Sequence, residues 1–459
     1  MNYAEAIAYI QQFPDMERAT FGARGPTMGL PSMRALLERM ENPQLGRHTV
    51  HVAGSKGKGS TSTMIARILD EAGLNTALYT SPHLHDYVER IAFAGKTIDP
   101  ERFAKGVAEI KPIIEAEKSA GNTNISTFGV LTALFFHLAK SSNPPVEWQV
   151  VEVGLGGRYD VTNVFATKDV AVITPISLEH VEILGSTPTE IAANKAGIIT
   201  PQCIAVLAPQ KDQGARTAVG RRCGEVQAAL VDVAREYKVR IDKQDINGQS
   251  FSLESKEFGS IELFTPMLGA HQITNASTAA ATALALRKEG VNITDEHIKK
   301  GLEKAVIPGR LQILSGIKDG KKTGEPIIVV DAAHNHESAQ ALADAIKLFF
   351  DVKSCIFVLG LNMDKNMSAI WKQLESMSSL CIATRSKNPR SMNPSDIAEV
   401  VTTFGATDAD VHVSNSVAEA IDQARKVAKD GDVIVVTGSI YVVGEAREHI
   451  LQGNVASSR

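Results

Sequence analysis

Short apolar runs rich in β-branched residues recur along the first half of the chain, with helical patterns between them. The runs are HTVHVA (48–53), WQVVEV (148–153), DVAVIT (169–174) and CIAVLA (203–208). The last three lack the apolar–polar alternation of a half-exposed strand, which indicates that both of their faces are buried. Apolar strands separated by helices are typical of a parallel sheet with helices on both sides. The chain is therefore predicted to fold as an α/β protein with a mostly parallel sheet.

The same rhythm begins again near residue 306 and predicts a second, smaller α/β unit with a Rossmann-like arrangement. Its predicted strands are PIIVVDAA (326–333), SCIFVLG (354–360), LCIAT (380–384), VHV (411–413) and DVIVVTGS (432–439). The polar stretch 240–265, with turns at Asn247-Gly248 and Gly259, predicts one or two hairpins on a sheet edge. We accordingly expect two domains, at residues 1–305 and 306–459. Near the N-terminus, residues 32–40 predict a helix with Ser32 as its N-cap.

Composition excludes several classes of function. The chain has 459 residues, 44% of them hydrophobic and 22% charged, and a net charge of -4. This balance gives no reason to expect binding to nucleic acid or to a membrane surface. The four cysteines form no CxxC pair, and neither a secretory signal nor a bilayer-spanning apolar stretch is present. The expected location is the cytoplasm.

The sharpest local signal is the segment HVAGSKGKGST (51–61), in which a buried strand runs through a glycine-rich turn into a helix. Glycines let the backbone fold around phosphate oxygens, and the N–H groups at the helix N-terminus favour an anion. The spacing differs from the common GxxxxGK[ST] pattern. An ordinary exposed loop could have a similar composition, but the flanking strand and helix favour a phosphate site that includes Lys58.

An ordered series of segments extends this signal over nearly the whole chain. Beside the glycine-rich loop, it comprises FGARGPTMGLPSM (21–33), NPQL (42–45), TSPHLHDYVERI (80–91), VVEVGLGGRYDVTNV (150–164), ITPISLEHVEILGSTPTEIAANKAGII (173–199), LGAHQITNASTA (268–279), PGRLQIL (308–314), VVDAAHNHESA (329–339) and TGSIYVVGEAR (437–447). In this order, they resemble the folylpolyglutamate synthase and dihydrofolate synthase family of ATP-dependent Mur ligases. The resemblance implies a P-loop ATPase domain followed by a glutamate-ligase domain.

The resemblance also implies the reaction. Such enzymes transfer the γ-phosphate of ATP to a carboxylate of dihydropteroate or of a folate, and the amine of L-glutamate then attacks the acyl phosphate. ATP and Mg²⁺ are the implied cofactors, the segment 80–91 resembles a loop that holds the pterin, and a monomer is expected. The competing hypotheses are a Mur-type amide ligase for another acid, a simple P-loop kinase or switch, and a nucleotide-binding homologue with little activity.

Matching the family motifs residue by residue implies a nucleotide site. The implied nucleotide-binding residues are Gly54, Gly57, Lys58, Gly59, Ser60, Asn275, Arg310 and Asp331. Lys58 is expected at the β- and γ-phosphates. Arg310 follows Pro308-Gly309, where a guanidinium fork suits phosphate recognition. The implied catalytic residues are Lys58, His180, Lys195 and His334, the last of them near the incoming glutamate.

The implied metal ligands are Ser81, Glu152, His180 and Lys195. Glu152 ends a buried strand, where open α/β sheets place their ligands. Spacing alone would leave Ser81 as a turn residue and His180 as a structural or solvated histidine. Lys195 matches a lysine that many Mur ligases carry as a carbamate, which would supply oxygen ligands to a second Mg²⁺. Without the resemblance, Lys195 would be a lysine on a solvated helix face.

Four positions depart from the family pattern. Gly129 and Asn194 stand where glutamate is usual, Glu179 where aspartate is usual, and His336 where proline is usual. Gly129 matters most, because it removes a carboxylate near the expected substrate site. The choice between dihydropteroate and folate substrates is left open by the sequence.

Overall fold

The computed structural model describes residues 1–15, 29–318, 320–352, 354–404 and 410–457. Residues 21–28 of the first family-like segment lie outside these ranges. The chain divides into two compact units. The first comprises Met1–Arg240, Phe251–Phe264 and Thr274–Ala305, and the second comprises Ile241–Ser250, Thr265–Ile273 and Val306–Arg459.

The first unit is built on an eight-stranded sheet. Its strands are β1 (His48–Ala53), β2 (Thr76–Tyr79), β3 (Ile91–Phe93), β4 (Lys96–Thr97), β5 (Trp148–Glu152), β6 (Val170–Ile173), β7 (Ile204–Leu207) and β8 (Ala229–Asp232). The order across the sheet is β4-β3-β2-β5-β1-β6-β7-β8. Only the short β3 runs in the opposite direction to the other strands of this sheet. The prediction of a mostly parallel sheet is therefore confirmed.

Register in this sheet brings two predicted site segments together. β1 lies between β5 and β6, and Val52 of β1 pairs with Glu152 at the last position of β5. Gly54, immediately after β1, is thus at the same edge as Glu152. Because parallel strands end together, this edge collects the loops that follow β1, β5 and β6.

Helices cover both faces of the large sheet or flank it. They are α1 (Tyr3–Ile10), α2 (Gly29–Arg39), α3 (Lys58–Glu71), α4 (Pro100–Ser119), α5 (Thr127–Lys140), α6 (Val181–Leu184), α7 (Pro188–Lys195), α8 (Gln213–Val226), α9 (Val233–Glu236), α10 (Ala270–Lys288) and α11 (Asp295–Lys304). The prediction of Ser32 as an N-cap is wrong, since α2 already includes Gly29 and Pro31 is tolerated in its first turn.

Residues 240–265 form hairpins, as predicted, but their placement on an edge of a larger sheet is wrong. The strands β9 (Tyr237–Asp245), β10 (Gly248–Ser255) and β11 (Gly259–Thr265) form a three-stranded sheet in the order β11-β10-β9. In β9, residues Lys238 to Lys243 are all exposed. A strand of the large sheet would instead be covered on both faces.

The second unit contains a six-stranded sheet. Its strands are β12 (Gln312–Ser315), β15 (Ile327–Asp331), β16 (Cys355–Leu359), β17 (Ser378–Ala383), β18 (Val411–Val413) and β19 (Val433–Thr437), with a separate hairpin of β13 (Ile317–Lys318) and β14 (Lys321–Lys322). The order is β12-β15-β19-β16-β17-β18, and only β12 is antiparallel. The five predicted strands of this unit are confirmed.

The helices of the second unit are α12 (His336–Phe350), α13 (Met367–Leu374), α14 (Pro394–Thr403), α15 (Val417–Val427) and α16 (Ile440–Ser457). The core between them and the sheet is apolar, with Phe357, Val435 and Ile346 fully buried. Across the described parts of both units, no helix is long and apolar enough to span a membrane.

Candidate active site

The loop between β1 and α3 is held in a tight conformation that needs glycine at two positions. Gly54 has φ +152° and Gly57 has φ +80°. A Cβ at Gly54 would overlap the side chain of Thr174, and a Cβ at Gly57 would overlap the Asn275 side chain. The predicted residues Gly57 and Asn275 are therefore in direct contact, and no larger residue fits at either glycine without displacing its neighbour.

The loop ends at the N-terminus of α3, where Gly57 is the N-cap and Lys58 the first helical residue. The first N–H groups of a helix have no partner inside it and carry partial positive charge. The N–H groups of Ser55 and Lys56, in contrast, donate to the carbonyl of Pro175 at 3.0 and 3.1 Å. The start of α3 therefore offers the N–H groups that suit an anion, while the preceding turn is tied to the segment after β6.

Two lysine side chains converge on the carbonyl oxygen of Gly54. Nζ of Lys58 donates to this oxygen at 3.0 Å and Nζ of Lys195 at 2.8 Å. Lys58 and Lys195 are far apart in the chain, but the structure brings both of them to the base of the glycine-rich loop. This arrangement concentrates positive charge where the loop would receive a phosphate group.

Lys195 is buried, which contradicts the alternative of a lysine on a solvated helix face. The residue is 1% exposed, and its Nζ donates to Oε1 of Glu179 at 2.7 Å. Burial lowers the pKa of Lys195 to about 8, although the Glu179 carboxylate opposes this shift. Burial alone would raise the pKa of Glu179, but the positive charges of Lys58 and Lys195 hold it below its ordinary value.

Glu152 lies directly below the start of α3. The residue is 3% exposed, and its Oε2 accepts the backbone N–H of Ser81 at 2.9 Å. An added Cβ at Gly59 would lie 3.4 Å from the same oxygen, which places the carboxylate beside the first turn of α3. The structure thus brings together Ser81, Glu152 and the glycine-rich loop.

His180 occupies a different setting. Its side chain is exposed, and its backbone adopts the left-handed conformation, φ 45°, at the N-cap of the short helix α6. It follows Glu179 directly, so it lies in the segment that carries the carboxylate partner of Lys195. Ser60, in the first turn of α3, is by contrast buried, at 7% exposure.

The oxygen donors present fit Mg²⁺ in type, because a buried carboxylate with a nearby serine is a hard-oxygen set. In the described part of the chain, no group of three or more His, Cys, Asp and Glu side chains is placed to hold a metal ion. The metal ligands implied by the resemblance do not form such a group, because they comprise only one carboxylate and one imidazole, together with a serine and a lysine.

In the second unit, Arg310, Asp331 and His334 lie around the end of β15. Burial raises the pKa of Asp331, and the Arg310 charge opposes this shift. The Asp331 carboxylate accepts the N–H of Leu311 at 2.8 Å, which ties it to the segment after Arg310. Nδ1 of His334 is 2.8 Å from the carbonyl of Ala332, so Nδ1 carries a proton and donates to this oxygen.

Gly129, the main departure from the family pattern, lies in the first turn of α5. Its N–H donates to Oγ of Ser126 at 3.1 Å, and an added Cβ would meet only Ser126 at 3.5 Å and Ile125 at 3.9 Å. The backbone therefore does not require glycine here. Its neighbour Phe128 packs closely on Gly154, which lies two residues after Glu152. A Cβ added at Gly154 would be only 2.6 Å from the Phe128 ring.

Several contacts around the site could not be predicted from the sequence. Thr174 and Pro175 lie in the family-like segment 173–199, but nothing in that segment indicated that they hold the glycine-rich loop. The burial of Lys168 and its contact with His51 at 2.9 Å were also not predicted. A lysine is exposed by default, so only the spatial neighbours distinguish such a residue from a surface lysine.

Comparison with known proteins places this geometry in a class. Residues 52–283 match the Mur ligase middle domain, and residues 309–440 match the Mur ligase glutamate ligase domain. The chain thus has the fold of an ATP-dependent ligase with a Mur ligase middle domain and a glutamate ligase domain.

The relatives define the family more closely. The chain is 32% identical to the dihydrofolate synthase/folylpolyglutamate synthase of Mycobacterium tuberculosis, over 91% of this chain and 89% of the relative. It is 31% identical to the Bacillus subtilis protein of the same name, over 94% and 96%. The chain belongs to the folylpolyglutamate synthase/dihydrofolate synthase family of Mur ligases.

Solved structures agree with this assignment. The Mycobacterium tuberculosis folylpolyglutamate synthase complexed with ADP and AMPPCP has a TM-score of 0.84 and 29% identity, covering 98% of both chains. Escherichia coli FolC in complex with DHPP and ADP has a TM-score of 0.82 and 26% identity, covering 100% of this chain and 99% of that chain. Both complexes contain adenine nucleotides, in agreement with the predicted use of ATP.

Proposed function

We propose that this ligase joins L-glutamate to dihydropteroate, to a folate, or to both, through an acyl phosphate formed with ATP. The names of the relatives and the DHPP complex of FolC support this substrate class. The observation that carries the proposal is the convergence of Lys58 and Lys195 on the Gly54 carbonyl, beside Glu179. A simple P-loop kinase or switch would not carry the glutamate ligase domain found at residues 309–440.

The glycine-rich loop would hold the phosphates of ATP. The N–H groups at the start of α3 and the ammonium group of Lys58 would contact phosphate oxygens, and Gly54, Gly57, Gly59 and Ser60 would form the cradle. Asn275 packs on Gly57 and would fix the loop from behind. A cation beside the transferred phosphate stabilises the charge that develops in the transition state.

Mg²⁺ would be held by Ser81, Glu152 and His180, with a second ion at Lys195 if that residue is carbamylated. When bound, Mg²⁺ neutralises phosphate charge and orients the γ-phosphate. The protein's contribution is visible in the Glu152 carboxylate, which the Ser81 N–H orients at 2.9 Å. The lowered pKa of Lys195, about 8, favours the neutral amine that a carbamate requires.

The second unit would complete the reaction. Arg310 and Asp331 would contact the nucleotide, and His334 would lie near the incoming glutamate. The hydrogen bond from Nδ1 of His334 to the Ala332 carbonyl holds the imidazole ring in one orientation at the end of β15. The domain limits 1–305 and 306–459, the monomeric state and the cytoplasmic location belong to the same proposal.

Glutamate-dependent release of ADP is the decisive assay. The purified protein is supplied with ATP, Mg²⁺ and L-glutamate, together with dihydropteroate in one series and tetrahydrofolate in another. ADP release that requires both glutamate and one of these acids, with the amide product identified by mass, supports the proposal. Lys58→Ala protein purified in parallel reports any contaminating ATPase.

Each other result selects an alternative. ADP release with neither acid, but with a different carboxylate, would make the chain a Mur-type amide ligase for another substrate. Nucleotide binding without turnover on any acid would leave a nucleotide-binding homologue. Comparing Gly129→Glu with the parent in the two series would show whether the missing carboxylate sets the choice of acid.

A further inference from the structure

Lys168 is a buried lysine that the chemistry described above does not use. The residue is 7% exposed and lies just before β6. Its Nζ is 2.9 Å from Nδ1 of His51, 3.3 Å from Oδ1 of Asn163 and 5.4 Å from the centre of the Phe165 ring. Among the residues that the structure describes, no carboxylate forms an ion pair with it. These three neighbours must therefore offset the desolvation of the amine.

Counting hydrogens fixes the direction of the hydrogen bonds on one side of Lys168. The hydroxyl of Thr162 donates to Oδ1 of Asp160 at 2.5 Å and lies 2.9 Å from Nε2 of His51. Because a hydroxyl has one hydrogen, Thr162 accepts from Nε2–H, which leaves Nδ1 of His51 to accept from Lys168. Burial, with the Lys168 charge, lowers the pKa of His51 far below its ordinary value, which agrees with a single ring proton.

The result is a one-way chain of donors from the Lys168 amine through His51 and Thr162 to the Asp160 carboxylate. Asp160 also accepts the N–H groups of Thr162 and Leu155, each at 2.9 Å. Burial raises the pKa of Asp160, and these donors oppose that shift. The chain therefore ends on a carboxylate that closes the loop directly after Glu152.

A second connection runs from Lys168 through Asn163. While its Oδ1 accepts from Lys168, its Nδ2 donates to the carbonyls of Arg158 at 3.1 Å and Gly197 at 3.3 Å. Arg158 belongs to the loop after Glu152, and Gly197 belongs to the turn after Lys195. One amide group thus joins the two segments, and Lys168 orients that amide.

These two segments pack backbone against backbone. The N–H of Arg158 donates to the carbonyl of Asn194 at 3.0 Å, and a Cβ at Gly157 would lie only 2.9 Å from Cα of Lys195. No side chain therefore fits between the two backbones at Gly157. The hydrogen bond between Arg158 and Asn194 couples the loop to the end of α7 that carries Lys195.

We propose that Lys168 is a positioning residue, which fixes residues 154–163 against the turn after Lys195 and so aligns Glu152 with Lys195 for Mg²⁺ and ATP. The proposal rests on the proposed function in one respect, since it takes these two side chains as parts of the ligase site. Lys168 touches neither substrate nor metal and acts only through His51, Thr162 and Asn163.

The test compares Lys168→Met with Lys168→Arg and with a control, Gln149→Leu. Gln149 is equally buried, and its side chain bonds to Gln44 and Thr49 at the opposite end of β5 from Glu152. In Lys168→Met, we expect kcat to fall about tenfold and the Mg²⁺ concentration for half-maximal rate to rise about tenfold, as is typical when a supporting partner of a metal site is lost. The KM for the folate substrate should change less than about twofold, because no folate contact is altered.

Gln149→Leu should lower the melting temperature without changing the Mg²⁺ dependence. Lys168→Arg should have a kcat and a Mg²⁺ requirement between those of Lys168→Met and the wild type. If Lys168→Met unfolds, Thr162→Val breaks the same chain at nearly constant volume and is measured instead. Unchanged kcat and Mg²⁺ dependence, with only a lower melting temperature, would reduce Lys168 to a stabilising core residue and overturn the proposal.

The outcome stays separate from that of the proposed function. If the wild-type protein shows no glutamate-dependent turnover, the proposed function fails, while Mg²⁺-dependent binding of a non-hydrolysable ATP analogue, measured by calorimetry, still tests Lys168. Equal Mg²⁺ dependence of that binding in the wild type and in Lys168→Met would overturn the positioning role in this case too.

Discussion

Nζ of Lys195 lies 2.7 Å from Oε1 of Glu179, and the two side chains are only 1% and 16% exposed. Removing one partner of a buried ion pair leaves the other uncompensated, at a cost of about 3–5 kcal/mol. Carbamylation of Lys195 would replace its positive charge by a negative one, so Glu179 would then have to move or exchange its partner. The pair is therefore a charge-sensitive point of the site.

Lys195→Ala should be nearly inactive, because it removes the amine on which the proposed carbamate would form. Small carboxylates that enter the vacated space should restore part of the rate, and depletion of carbon dioxide should depress the wild-type rate reversibly. The measurement is glutamate-dependent ADP release with and without added acetate or bicarbonate.

The double variant Lys195→Met/Glu179→Leu is the control for this experiment. It removes both buried charges and should recover the folding stability lost in Lys195→Ala, while remaining inactive. A wild-type enzyme indifferent to carbon dioxide, together with normal turnover in Lys195→Ala, would remove the carbamate and the second metal.

Lys58→Ala should lower turnover by about 10²-fold or more, because the role proposed for its ammonium group is to stabilise charge on the transferred phosphate. The change is measured as kcat at saturating ATP. Lys118→Ala is a suitable control, since Lys118 is exposed and pairs only with Glu115 on its own helix among the described ion pairs. Near-normal turnover in Lys58→Ala would mean that the phosphates bind elsewhere.

Glu152→Gln should raise the Mg²⁺ requirement steeply with the fold intact, because hard cations depend on anionic oxygen. His180→Ala should act in the same direction. Titrating Mg²⁺ at fixed ATP checks both, with Glu147→Gln as the control at the opposite, exposed end of β5. A variant that keeps the parent's titration curve would remove its residue from the set of ligands.

Asp70 predicts a stability that depends on pH. Burial raises the pKa of this carboxyl group from 3.8 to about 7, although the Arg67 charge opposes the shift. Because the folded state holds the proton more tightly than the unfolded state, the contribution to stability is fully present below pH 4. It is lost as the pH rises to about 7 and is constant above that.

At pH 8, Asp70→Asn should consequently unfold at a higher urea concentration than the parent. Its free energy of unfolding should be larger by up to about 4 kcal/mol. At pH 4 the two proteins should differ little. Urea denaturation at both pH values checks this, and an equal difference at the two values would contradict a raised pKa.

The sequence predicted the frame of the fold because buried strands leave a strong local pattern. Val50, Val52 and Val150 lie in continuous strands whose positions were predicted to within a residue or two. Four strands of the large sheet, β2, β3, β4 and β8, were not predicted. In β4, Lys96 and Thr97 have no apolar pattern. The hairpin sheet of β9 to β11 was misplaced because local alternation does not specify which strands pair across the chain.

For the site, the glycine-rich loop itself predicted a phosphate-binding role for Lys58, whereas the roles of Ser81, His180 and Lys195 were implied only by the family motifs. The pairing of Lys195 with Glu179 could not be predicted, because it depends on how deeply the lysine is buried. Lys168 shows the same limit, since its partner His51 lies on a strand far earlier in the chain. Spacing in the sequence does not encode burial or contacts between distant segments.

The position of β1 in the sheet also constrains how the protein is made. This strand is synthesised early, yet it pairs only with β5 and β6, which lie far later in the chain. Until β5 and β6 have left the ribosome, β1 is an apolar segment whose backbone N–H and C=O groups have no strand to pair with. Such late, non-local pairing is slow and leaves partly folded chains open to aggregation. The strand that leads into the glycine-rich loop is thus also exposed to wrong pairing while the chain is being synthesised.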